Sequence, residues 1–157
     1  MITGASDIFA AVLSVLLLIA AWTDLRSRII SNELNAAIAL VAIVWWFVGG
    51  YPIWPDIGLR VLLAFGLFAV FALLFAFRIM GGGDVKMMGA FALWLPMPLV
   101  LPMLFVTALA GGLIAGFLAI RARFRPNEAP PEVPYGIAIA LGGFWVMANG
   151  LLTIRAA

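Results

Sequence analysis

From Met87 to Ile120 the chain runs 34 residues without one charged side chain. No other feature limits the fold so tightly. Such a run, buried in a soluble domain, would need a core far larger than 157 residues can build. A bilayer removes that limit, since a helix of about 20 apolar residues spans its hydrocarbon core. The same pattern recurs along the chain. Uncharged apolar runs cover Ile8 to Thr23, Asn35 to Gly50, Val61 to Phe77 and Val133 to Ile154. Charged residues make up only 10% of the chain, against roughly 25% in soluble domains. The opening segment has its basic residues after the apolar run, unlike a secretory signal, and reads as a first transmembrane helix with its N-terminus outside.

The 34-residue run fits either one long tilted span or a hairpin of two. Pro96, Pro98 and Pro102 favour the hairpin, because proline breaks a helix interior. The positive-inside rule decides the same way. With two spans, Arg26, Arg28, Arg78, Lys86, Arg121, Arg123 and Arg125 share one side, and only Arg60 and Arg155 lie opposite. That is seven against two; a single span would give four against five. The expectation is an all-α polytopic membrane protein, one domain over residues 1–157, with six transmembrane helices and both termini outside. The second half of the hairpin is expected to be short. The proline-rich stretch Arg123 to Pro134 is expected to be an extended inner loop.

With so few charges, their positions carry the information. Asp24 closes the first span and Asp84 opens the fourth; 60 residues separate them, yet the topology sets both at one face and one depth. Ionisable groups at membrane depth are costly and mark function by default. Plain structural roles compete with that reading. Asp84 suits the N-cap of the helix that follows, and Asp24 can pair with Arg28 one turn on. Gly82 and Gly83 can simply relax the loop between two spans. Gly81 and Gly83 can equally clear space for a substrate backbone beside the carboxylate.

The chain holds no cysteine and no histidine. Thiol nucleophiles, Ser-His-Asp triads and His-ligated zinc are therefore excluded. Two carboxylates sharing a water remain as a complete hydrolytic device. Like charges in proximity hold one proton between them. The ionised member takes a proton from water, and the protonated member hydrogen-bonds the scissile carbonyl. That chemistry needs no metal or cofactor.

These residues resemble a known family. "GGGDVK" (Gly81 to Lys86) contains the G-x-G-D pattern of membrane aspartic proteases. Asp24, a basic stretch and then "IISNELN" is similar to the Asp, spacer, Ile-Pro-Asn segment of bacterial type IV prepilin peptidases. "VPYGIAIALGG" resembles the Pro-aromatic-Gly motif that opens their last helix. The three motifs stand in family order, and the resemblance covers essentially the whole chain. The length is similar to the short forms of tight-adherence (Flp-type) pilus systems. Ser31 stands where the family usually has proline, which implies a less rigid turn before Asn32. The cysteine-bearing cytoplasmic region of longer members is missing, so N-methyl transfer finds no support.

The resemblance implies an inner-membrane, multi-pass endopeptidase of the bacterial cytoplasmic membrane. It would remove the leader of a prepilin or pseudopilin at the cytoplasmic face, after a glycine. Asp24 and Asp84 would be catalytic. Lys86, Arg26 or Arg28 would hold a substrate carboxylate, or serve only to set topology. Asn32 would bond substrate backbone or cap a helix, and Tyr135 would line the site or anchor at the interface. Partners would be the pilin substrate and membrane lipid, with a homo-oligomer allowed and no nucleic acid. Two rival classes use the same residues differently: a small proton-coupled transporter, with the acids as relay groups, and a non-catalytic pilus-assembly subunit.

Overall fold

The computed structural model describes residues 3–124 and 133–151. Six α-helices account for most of them: α1 (Thr3–Ser27), α2 (Asn32–Val48), α3 (Gly58–Ala76), α4 (Gly82–Ala92), α5 (Met97–Arg123) and α6 (Tyr135–Val146). A kinked segment, Ile53–Ile57, with Trp54 in extended backbone, leads into α3, and a π-helical turn, Met147–Leu151, continues α6. Most of the expected inner loop lies outside the described residues.

Three helical segments are long and apolar enough to cross a membrane: Gly4–Ser27, Ile53–Ala76 and Met97–Arg123. Their outward faces suit that role. Leu62, Phe65 and Phe68 on α3, and Leu101, Phe105 and Phe117 on α5, are exposed. Apolar area on that scale has no place against water. The protein is therefore a membrane protein.

The long apolar run does divide at its prolines, but the short half is the first. Helix α4 has 11 residues, a rise of about 16 Å, against a hydrocarbon core of about 30 Å. Helix α5 has 27. The division falls early because Pro96 is the N-cap of α5. Pro98 then sits in the first turn, where its missing N–H costs nothing, and Pro102 forfeits one bond just beyond it. None of the three interrupts the later turns of α5.

Helix α4 is short because it is enclosed. Asp84, Val85 and Met87 through Ala92 are all buried, and α4 packs against α2, α3 and α6. Around it lie Leu13 and Leu17 of α1, Ile38 of α2 and Ile139 of α6, all fully buried. Helix α1 packs on α2 and α6, and α5 lies along α6. The bundle thus wraps longer helices around a buried central one.

The C-terminal end of α4 is tied down by aromatic and cationic groups. Trp46 Nε1 donates to the Leu93 carbonyl at 3.2 Å, and Arg60 Nη1 to the Trp94 carbonyl at 2.6 Å. Trp94 stacks on Trp45 at 5.1 Å, and its Nε1 donates to the Ile38 carbonyl at 3.0 Å. The Arg60 guanidinium lies 5.3 Å from the Trp45 ring and 5.0 Å from that of Tyr51. Carbonyls past a helix end lack intrahelical donors and carry partial negative charge, which these donors satisfy.

Candidate active site

Helix α1 turns one narrow stripe toward the bundle. Leu13, Leu17, Ala20 and Asp24 are its buried members, spaced four, three and four residues apart. That is helical periodicity, so Asp24 is the last residue of an apolar stripe and enters the interior with it. Asp24 is 4% exposed.

Asp84 enters from α4 and is 7% exposed. It is not the N-cap: Gly81 holds that position, and Gly82 and Gly83 form the first helical turn rather than a loop. Asp84 follows them as the third helical residue, still within the first turn.

The two acids line one cavity of about 640 Å³, shared with Arg28, Phe75, Arg78, Gly81 and Tyr135. A smaller adjoining cavity of about 220 Å³ also touches both. Each carboxyl keeps one buried oxygen without a hydrogen-bond partner, Oδ2 of Asp24 and Oδ1 of Asp84. Orphaned buried acceptors are expensive, and here the two belong to acids that border the same cavities. No group of three His, Cys, Asp or Glu gathers to hold a metal ion among the described residues.

Gly136, the second residue of α6, completes this arrangement, and its importance is missed by a reading of charges alone. A Cβ there would stand 2.8 Å from Asp24 Oδ2 and 2.7 Å from Ile30 Cδ1. Only glycine lets the start of α6 press on α1 at this depth, and its backbone amide faces both carboxyls. The "PYG" motif carried the signal, through its glycine more than its tyrosine. Tyr135 does line the cavity, and its ring packs on Gly111.

The glycines before Asp84 clear space for this chain's own atoms. A Cβ on Gly83 would meet the Ile30 carbonyl at 3.2 Å, and one on Gly81 would meet Asp84 Oδ2 at 3.0 Å. Gly82 makes room for the Phe75 ring, at 3.3 Å. Gly81 borders both cavities, and Gly83 borders the smaller one beside the turn after α1. Asn35, unremarked in the sequence, holds that turn of α4 by donating from Nδ2 to the Gly83 carbonyl at 3.2 Å.

Lys86 and Asn32 lie elsewhere. Two residues past Asp84, Lys86 points to the far side of α4, where its Nζ donates to Asn32 Oδ1 at 2.7 Å. The two border a separate groove of about 450 Å³ with Ala39, Phe68 and Leu93. Asn32 is not the cap of α2; Ser31 is, accepting from the Leu34 N–H at 3.2 Å. Serine in place of proline therefore supplies a cap instead of only loosening the turn. The cations that border the aspartate cavity are Arg28 and Arg78.

A family model described as "Type IV leader peptidase family" matches residues 11–116, about two thirds of the chain. The match takes in Asp24, the turn at Ser31 and the glycines before Asp84, and stops short of Tyr135 and Gly136. No curated protein and no solved structure matches.

Proposed function

The chain belongs to the type IV leader peptidase family, and from that premise we propose that it is an aspartic endopeptidase working through Asp24 and Asp84. The observation that carries this reading is the shared cavity: two acids 60 residues apart border one space, each with a buried, unpartnered oxygen. Two carboxylates so placed repel, and one proton between them relieves both. The ionised member then draws a proton from water as that water attacks the scissile carbonyl. The protonated member donates to the carbonyl oxygen, and the leaving amine is protonated as the intermediate collapses.

The substrate is a prepilin or pseudopilin of the Flp type, cut after the glycine that ends its leader. In this reading the chain passes six times through the bacterial inner membrane, with the short α4 enclosed by the other helices rather than spanning the hydrocarbon core by itself; both termini lie outside, and the cavity opens at the cytoplasmic face. The whole chain acts as one peptidase domain. The arginine distribution supports this orientation, with Arg26, Arg28 and Arg78 at the aspartate end.

Co-expression with a candidate prepilin, followed by mass measurement of its N-terminus, tests the reading. Wild-type enzyme yields the mature terminus. Asp24→Asn and Asp84→Asn, inserted at normal levels, leave the leader in place. Normal processing by either variant rules out the paired-acid mechanism.

A further inference from the structure

Two arginines adopt a backbone conformation that arginine seldom takes. Arg28 follows α1 with φ 57°, and Arg78 follows α3 with φ 58°. A left-handed residue at this position closes a helix, and the Arg28 N–H donates to the Asp24 carbonyl at 3.0 Å. Glycine is the usual occupant, because a Cβ in this region costs roughly 1–2 kcal/mol. Strain of that kind gathers at functional sites.

Both arginines border the aspartate cavity. Arg28 alone of the two also borders the smaller cavity that touches Asp24 and Asp84. The groups facing the acids come from each neighbouring element: Arg28 beyond α1, Arg78 beyond α3, and Tyr135 with the Gly136 amide on α6. The acids themselves belong to α1 and α4. Lys86, the other nearby cation, is turned away onto Asn32.

We propose that Arg28 is a positioning residue of the peptidase: its left-handed backbone holds the guanidinium at the cavity, where it offsets the charge of whichever aspartate is ionised. The assignment rests on the paired-acid reading above. Arg78 provides an internal control, with the same backbone conformation and the same cavity but without the second approach to the acids.

The test is the pH dependence of kcat/KM for leader cleavage by the full-length enzyme in membranes. Arg28→Gly removes the charge while relaxing the backbone. Without the cation the acids ionise at higher pH, and the active form has one acid ionised. Both limbs of the bell-shaped profile therefore move up, by about one pH unit. Arg28→Gln gives the same displacement should the glycine variant insert poorly. Arg28→Lys keeps the limbs near their wild-type positions, and Arg78→Gly leaves them in place. Three results overturn the proposal: Arg28→Gly and Arg28→Gln profiles that coincide with wild type, an Arg28→Lys profile displaced as far as theirs, or an equal displacement in Arg78→Gly. Asp84→Asn, run alongside, separates the two readings. If it still cleaves, the paired-acid mechanism fails; if it is dead while the Arg28→Gly limbs stay put, only the role of Arg28 fails.

Discussion

The two ends of α4 are built on opposite principles. At its C-terminal end, the Leu93 and Trp94 carbonyls each accept a side-chain donor, and the rings of Trp45 and Tyr51 lie against Arg60 while Trp94 stacks on Trp45. At its N-terminal end, no side chain caps the helix, three glycines replace packing volume, and Asp84 keeps an unpartnered oxygen. One end satisfies its polar groups; the other leaves them wanting. The satisfied end can hold the helix in place while the other remains ready for a water and a peptide. Rigid support beneath a polar site is what places reacting groups within tenths of an ångström.

The largest effect should come from the unsatisfied end. Asp24→Asn or Asp84→Asn is expected to lower leader cleavage by roughly 10³-fold or more, the scale of a general acid–base group. Thermal stability in detergent should hold or rise, since a neutral amide removes like-charge repulsion. A large fall in stability instead would make the acids structural and erase the contrast. Arg60→Ala should do the reverse. Losing a charged hydrogen bond and two cation–π contacts costs about 3 kcal/mol, seen as a lower melting temperature, while cleavage per folded molecule changes little.

Gly136→Ala should sharpen the contrast further. Its Cβ falls within 3.0 Å of Asp24 and Ile30, and overpacking of that kind costs about 2 kcal/mol. The expected reading is a fall in kcat/KM of about 30-fold in a chain that still inserts. Ser31 gives the smallest effect. Ser31→Ala loses a cap worth about 1 kcal/mol, whereas Ser31→Pro should stay within about 0.5 kcal/mol of wild type. The Ser31 φ of −68° already suits proline, and the stiffer unfolded chain offsets the lost cap. Chemical denaturation of both variants checks the difference.

The acidic end was legible in the sequence to a degree that the aromatic end was not. Charge is rare here, so counting arginines across candidate spans placed Asp24 and Asp84 on one face. The apolar runs could not be sorted in that way. A helix enclosed by protein and one facing lipid are written in the same residues, and so α4, half a span long, looked like any other. Leu13, Leu17, Ala20 and Asp24 did carry a readable stripe, but only once it was known which face of α1 turned inward. Neighbours in sequence are not neighbours on a helix: Lys86, two residues on from Asp84, faces Asn32 instead of the acid cavity. Gly136 needed the third dimension, since its value lies in what an added methyl would strike on α1. Arg28 and Arg78 were counted for their charge, and nothing in the letters shows a backbone turned left-handed.

A hydrolase inside a membrane must let water in without letting ions through. The proposed peptidase would meet that demand along α4, which rises about 16 Å from the cavity at its first turn to the aromatic cluster past its far end, against about 30 Å of hydrocarbon core. Insulation at the far end would then fall to Trp45 and Tyr51 over Arg60, with Trp94 stacked on Trp45. A fixed positive charge walled by aromatic rings is a poor path for protons and cations. In that reading the cluster that braces the helix would also keep the electrical seal while the other end takes in water.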